Sequence, residues 1–123
     1  METGLYIVAT PIGNLGDMSS RAVEVLSGVD LIAAEDTRHS QRLLQHYSID
    51  NPLMAYHDHS DQRAQQRIES TLAQGGSVAL ISDAGTPLIS DPGYRLVRDM
   101  QSMGYAVRPV PGPSAVIAAL SVC

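Results

Sequence analysis

The chain has 123 residues, enough for one domain with a substantial buried core. Its eight basic residues are all arginine and its net charge is -5. The negative net charge argues against binding of nucleic acid by the overall electrostatic field of the protein. It does not exclude a local patch of arginines. The one cysteine, Cys123, excludes a disulfide framework and is consistent with a reducing cytosol. Because no apolar run reaches the roughly 18 residues of a membrane span, and no basic segment precedes the first apolar run, we expect neither a membrane anchor nor a secretory signal.

Short apolar segments alternate with amphipathic segments along the whole chain. The apolar segments predict five buried strands, at 5–9, 31–34, 53–56, 78–81 and 105–110. A helix is predicted after each strand, the first of them capped by Ser19 or Asp17. The residues expected to face inward from the first four helices are Ala22, Val25, Leu26, Val29, Leu43, Leu44, Tyr47, Ala64, Ile68, Leu72, Leu96, Met100 and Met103. This alternation predicts an α/β fold, a three-layer α/β/α domain with a mainly parallel five-stranded sheet.

Every predicted strand runs into polar or Gly/Pro-rich sequence. The five endings are 10–17, 35–39, 57–59, 82–93 and 111–114. In a parallel sheet the carboxyl ends of the strands share one edge, and ligands bind in the crevice there. The sequence therefore predicts a ligand site built from these endings.

The ending at 82–93 is the longest, with about ten residues where a strand-to-helix connection usually has two to six. It contains two Gly, two Pro, two Asp, two Ser and a Thr. Asp83 could accept hydrogen bonds from a ligand hydroxyl or amine, or it could be a turn residue bonded to its own loop. We expect this segment to be the centre of the site.

The first ending does not match the common nucleotide-binding motifs. Residues 10–16 have Gly at only two positions, although Glu35 lies 22 residues after Gly13, near where a ribose-binding acid would be expected. A phosphate-binding loop is excluded because the chain has no lysine. Ser114 could cap the amino end of the last predicted helix, or it could bind there together with a ligand carboxylate. An adenosine-like, uncharged or zwitterionic ligand suits these loops best, and a nicotinamide-dependent oxidoreductase or simple nucleotide-binding module is a weaker alternative.

The histidines do not predict a metal site. His57 and His59 would point to opposite faces of an extended segment. Neither a cysteine pair nor helical spacing of histidines supports zinc. We therefore predict no metal.

Two arginine pairs, Arg38 with Arg42 and Arg63 with Arg67, have the spacing that puts both members on one helix face. They could form solvated faces balanced by nearby acids at 58, 61 and 69. They could instead contact phosphate, because the guanidinium fork matches phosphate oxygens. Arg38 is the best candidate for that role because it lies beside a strand end.

Four ordered motifs, at 5–17, 34–39, 82–93 and 110–115, closely resemble the tetrapyrrole methylase superfamily and, within it, the branch that modifies small-subunit ribosomal RNA. The resemblance implies a cytoplasmic enzyme that moves a methyl group from S-adenosylmethionine to the ribose 2′-hydroxyl of a cytidine. It also implies two α/β domains with the cofactor in the cleft between them, and a homodimer. Residues 1–123 would be the first domain only, with the second expected after Ser121. A tetrapyrrole substrate is the alternative, which Pro11 and Asn14 in the first loop disfavour.

The implied reaction also suggests residue roles. Methyl transfer to a hydroxyl needs a base, for which Glu35, Asp36 and His57 at the crevice are candidates among which the sequence does not choose, and a base in the second domain is the alternative. Arg38 would contact RNA phosphate or position the site. The implied cofactor contacts are Ile12, Gly13, Asp83, Ala84, Gly85, Thr86, Ser114 and Ala115.

Overall fold

The computed structural model describes residues 1–10, 18–56, 62–81 and 93–110, in which strands and helices alternate as predicted. The predicted last helix, which begins near residue 114, lies outside these ranges. The elements are β1 Gly4–Val8, α1 Ser20–Gly28, β2 Leu31–Ala34, α2 Thr37–His46, β3 Leu53–Ala55, α3 Gln62–Ala73, β4 Ser77–Ile81, α4 Gly93–Ser102 and β5 Val107–Val110.

The five strands form one parallel sheet in the order β3-β2-β4-β1-β5. The three inner strands β1, β2 and β4 are buried at every position. The edge strands β3 and β5 are partly exposed. The expectation of strands buried on both faces therefore holds for the inner strands, and the edge strands depart from it because each has a neighbour on one side only.

The helices cover both faces of the sheet. One core cluster joins alternate strand residues, such as Tyr6, Ile32 and Ile81, with α1 and α2. The other joins the intervening residues, such as Ile7 and Leu80, with α3 and α4. The two clusters confirm the three-layer α/β/α prediction. The connections through α1 and α2 lead toward the β3 edge on one face of the sheet, and those through α3 and α4 lead toward the β5 edge on the other face. All four crossovers therefore have the same handedness, as the rule of right-handed crossovers requires.

The helical stripes match the predicted inward residues with one exception. Ser19 caps α1 by accepting a hydrogen bond from the Ala22 amide at 3.0 Å. Met103, expected to face inward, is 48% exposed. The prediction was wrong because α4 ends at Ser102 and the chain turns away through Gly104, whose φ of +89° is left-handed.

The edge strand β5 begins at Val107, two residues later than predicted. The Leu5 amide donates to the carbonyl of residue 106 and the Ala9 amide donates to the carbonyl of Val110. The backbone N–H groups of alternate residues in a strand point toward the same neighbouring strand. In the register of β5 with β1, an N–H at position 109 would point away from β1. A proline fits there because it removes no ladder bond and leaves the open edge without one donor.

At the amino ends of the strands, which we call the amino edge, Asn51 closes α1. Its side-chain Nδ2 lies 2.8–2.9 Å from three backbone carbonyls at the helix end, those of Leu26, Ser27 and Val29. The last carbonyls of a helix have no hydrogen-bond partner within the helix. The side-chain amide of Asn51 supplies that partner for the carbonyls at the end of α1.

A second contact at the amino edge joins β2 to β4. The Asp30 Oδ2 accepts hydrogen bonds from the Ser77 amide at 2.9 Å and from the Ser77 hydroxyl at 3.3 Å. The Asp30 amide in turn donates to the Ser77 carbonyl at 2.9 Å. These bonds fix the start of both strands.

In the part of the chain that the structure describes, no helix is long and apolar enough to cross a membrane.

Candidate active site at the carboxyl edge of the sheet

The carboxyl ends of β1, β4 and β2 lie side by side, and we call this side of the sheet the carboxyl edge. The chain leaves β1 and β2 toward α1 and α2 on one face, whereas it leaves β4 toward α4 on the other face. Where neighbouring strands send their connections to opposite faces, a crevice opens between them, and ligands bind there in open α/β sheets. Because β4 has such a junction on each side, the end of β4 at Ile81 is the centre of this edge.

Thr10 stands at one of these junctions. It follows β1 and is fully buried, which is unusual for a side chain with a hydroxyl group. From the sequence, Thr10 was predicted only as part of the loop at 10–17 and not as a site residue. A threonine after Ile7 and Val8 is also a normal strand residue, so the sequence carries no signal that would separate the two roles.

Asp36 caps α2 at the end of β2. Its Oδ1 accepts hydrogen bonds from the backbone amides of Arg38 at 2.9 Å and His39 at 3.4 Å. A carboxylate at this position satisfies two of the free amides of the first turn and interacts favourably with the helix dipole. Asp36 therefore has a structural role, which the sequence analysis did not assign to it, besides its candidate role as a base.

Glu35 differs from Asp36 in its surroundings. It directly follows the last residue of β2 and is half-buried, whereas Asp36 is exposed. The cap of α2 is Asp36 and not Glu35. Glu35 lies at the junction of β2 with β4, and its role as a candidate base stays a prediction.

Arg38 and Arg42 are both exposed on α2, as their spacing predicted. Neither guanidinium forms an ion pair with any residue in the described ranges, and α2 itself contains no acidic residue. The alternative in which nearby acids balance these charges has no support within the described residues, while positions 58 and 61 lie outside them.

A buried hydroxyl lies one turn into α2. Ser40 is fully buried among the inward residues of the helix, and its Oγ has no hydrogen-bond partner. This residue was not among the predicted inward or site residues. The signal was available, because Ser40 is three residues before Leu43 and four before Leu44 and so falls on the inward stripe of the helix.

Most of the predicted cofactor and base residues lie outside the described ranges, so their roles stay predictions. Within those ranges, no three His, Cys, Asp or Glu side chains come together in a way that could hold a metal ion. The predicted site residues outside the described ranges are Ile12, Gly13, His57, Asp83, Ala84, Gly85, Thr86, Ser114 and Ala115.

The fold defines an open α/β domain whose candidate ligand site lies at the junctions beside β4. The family model of the Tetrapyrrole (Corrin/Porphyrin) Methylases matches residues 4–123. The chain belongs to this family.

Curated relatives are similar over almost the whole chain. The chain is 59% identical over 118 residues to the protein named "Ribosomal RNA small subunit methyltransferase I" of Xylella fastidiosa, covering 96% of this chain and 43% of that protein. The proteins of the same name in Escherichia coli O157:H7 and Pseudomonas aeruginosa are 58% and 61% identical, each over 95% of this chain and over 41% and 42% of their own length. The chain thus spans less than half the length of these relatives.

Solved structures share the fold at much lower identity. Uroporphyrin-III-C-methyltransferase from Thermus thermophilus superposes with a TM-score of 0.75 at 20% identity, over 99% of this chain and 53% of that chain. A cobalt precorrin-4 methyltransferase gives a TM-score of 0.73 at 18% identity, over 96% of this chain and 49% of that chain. These similarities establish the fold of the chain.

Proposed function

We propose that the full-length protein transfers a methyl group from S-adenosylmethionine to the ribose 2′-hydroxyl of a cytidine in small-subunit ribosomal RNA. In this proposal residues 1–123 are its first domain, and the protein acts in the cytoplasm as a homodimer. The observation that carries the proposal is the 58–61% identity, over about 95% of this chain, to three relatives named for small-subunit ribosomal RNA methylation.

The chemistry of the carboxyl edge fits the proposed cofactor. S-adenosylmethionine carries a sulfonium and an ammonium group, and the carboxylate of Glu35 at the crevice suits a cationic ligand. When bound, the cofactor would supply an electrophilic methyl group. We assign its binding to Ile12, to Gly13, to 83–86 and to the pair Ser114 and Ala115.

The chain's own residues would align the acceptor and accept its proton. Transfer to a ribose hydroxyl requires the hydroxyl oxygen to lie in line with the methyl group, and a nearby base for the proton. Glu35 and His57 are the preferred candidates, because Asp36 already holds the first turn of α2. Arg38 would hold an RNA phosphate at the entrance to the site.

The experiment has two parts. Calorimetric titration with S-adenosylhomocysteine compares the 123-residue chain with the full-length protein, and we expect tight binding only by the latter, since the cofactor would lie between two domains. Methylation of small-subunit RNA, mapped by mass spectrometry, then identifies the modified ribose. If neither protein binds, the methyltransferase proposal fails; methylation on a base or on a tetrapyrrole would overturn the ribose assignment.

A further inference from the structure

Most arginines of this acidic chain lie in the first two turns of its helices. Seven of the eight are exposed there, Arg21 in α1 and two each in α2, α3 and α4, and we call the six of α2, α3 and α4 the arginine rim. In none of the four helices does an acidic residue occupy the first turn, and α1, α3 and α4 have no basic residue in the last turn. The members of the arginine rim are Arg38, Arg42, Arg63, Arg67, Arg95 and Arg98.

This placement opposes the stability of the helices. The partial positive charge at the amino end of a helix acts within the first turn, so Arg38, Arg63 and Arg95 each cost about 0.3–1 kcal/mol there relative to an acid. Two arginines four residues apart, as in Arg38 with Arg42 and Arg63 with Arg67, repel each other as well. Since helix energetics would place these charges elsewhere, the pattern points to a function at this edge.

The arginine rim surrounds the candidate site. All helices of a parallel α/β sheet begin at the carboxyl edge, so the first turns of α2, α3 and α4 lie beside the crevice. The α3 and α4 members share one face of the sheet, where the Gln65 Nε2 donates to the Asp99 Oδ2 at 3.0 Å across the two helices. The α2 members lie on the other face.

In the ranges that the structure describes, none of these three helices has a fully exposed acid. The two acids of α3 and α4, Glu69 and Asp99, are half-buried. In α2, the exposed residues besides the arginines are glutamine and histidine, which also offer hydrogen-bond donors. By contrast, the exposed Arg21 of α1 has the exposed Glu24 three residues later.

From this distribution we propose that the arginine rim is the docking surface for the sugar-phosphate backbone of RNA on both sides of the target nucleotide. The inference rests on the proposed function and names the part of the chain that would hold the substrate. A repeating anion matches a row of exposed guanidinium groups, and in a chain of net charge -5 such a local field confines the RNA to the edge that contains the site.

The test compares two variants of the full-length protein. The triple variant R42Q/R63Q/R67Q removes three rim charges and leaves Arg38 in place, while R108Q removes the one arginine that lies in a strand, away from the starts of the helices. Fluorescence anisotropy measures the affinity for a small-subunit RNA fragment as a function of salt, and calorimetry measures S-adenosylhomocysteine binding. Thermal melting checks that each variant is folded.

We expect the triple variant to bind RNA roughly 10- to 100-fold more weakly at low salt, with the slope of log affinity against log salt reduced by about 2. Cofactor binding should be unchanged, and R108Q should lie within about twofold of the parent. An unaltered slope in the triple variant, or an equal loss in R108Q, would overturn the proposal while cofactor binding still supports the methyltransferase. Normal methylation of naked RNA with loss on the assembled subunit would instead assign the rim to a protein partner.

Discussion

The amino and carboxyl edges of the same sheet are built in opposite ways. At the amino edge, polar side chains satisfy backbone groups: Asn51 binds three carbonyls at the end of α1, and Asp30 joins β2 to β4 through Ser77. At the carboxyl edge, Ser19 and Asp36 cap α1 and α2, but an arginine in the first turn of each described helix opposes its dipole, and the Ser40 hydroxyl is buried without a partner. The difference indicates that stability explains the polar residues of the amino edge but does not explain the arginines of the carboxyl edge.

The largest effect on stability is expected at Gly76, which is packed against the amino edge. A Cβ there would lie 2.9 Å from the Thr71 carbonyl oxygen and 3.0 Å from the Asp30 Oδ2. We expect Gly76→Ala to lower the free energy of unfolding by roughly 2–3 kcal/mol in urea denaturation, because backbone atoms must move. Gly104→Ala is the control: it has open space around it and should cost only about 1 kcal/mol for its left-handed backbone. Equal losses would show that the amino edge accommodates the clash.

A somewhat smaller loss is expected from Asn51→Ala. It removes the donor shared by the carbonyls of Leu26, Ser27 and Val29, and unpaired acceptors cost free energy. Urea denaturation should show a decrease of about 2 kcal/mol, whereas the exposed Gln45→Ala should change the value by less than about 0.5 kcal/mol. A loss no greater than that of the control would mean that water replaces the side chain.

The two roles of Asp36 can be separated by a pair of variants. Asp36→Ala should cost about 1 kcal/mol because it removes the cap of α2, while Asp36→Asn should retain nearly all the stability, since asparagine caps as well as aspartate. If Asp36 only caps, Asp36→Asn keeps methyl transfer in the full-length protein. A stable Asp36→Asn variant without activity would make Asp36 the base.

The smallest effect has the opposite sign. Arg38→Glu places a carboxylate at the amino end of α2, four residues before Arg42, so both the dipole and the new pair favour the helix. We expect a gain of about 0.5 kcal/mol in the free energy of unfolding. Arg108→Glu, which breaks the 3.2 Å contact of that arginine with Glu2, should give no gain. A decrease for Arg38→Glu would show that Arg38 stabilises the fold and would remove one argument for a binding role.

Local patterns predicted most of the fold. The strands and the inward residues of the helices follow from periodicity, because burial on one face repeats along the sequence. Asn51 shows where this reasoning stops: its partners lie 22 to 25 residues away, and the 51–52 turn gives no hint of them. The strand order could not be predicted either, since short connections allow several arrangements of five parallel strands.

For the candidate site, the sequence located the edge but not every role. Polar strand endings predicted the crevice, and the sheet order places the end of β4 at its centre. The cap formed by Asp36 and the buried Ser40 depend on where α2 begins and which way it faces. If α2 began one residue earlier, Glu35 and not Asp36 would occupy the cap position. Sequence patterns do not define helix ends to within one residue.

The central claim is that the carboxyl edge, and not the amino edge, binds the cofactor. Hydrogen exchange of the full-length protein with and without S-adenosylhomocysteine tests it most directly. We expect slower exchange at 9–17, 34–38 and 82–86, with no change around Asp30 and Asn51. Protection confined to the amino edge, or no protection near 82–86 at saturating ligand, would contradict it.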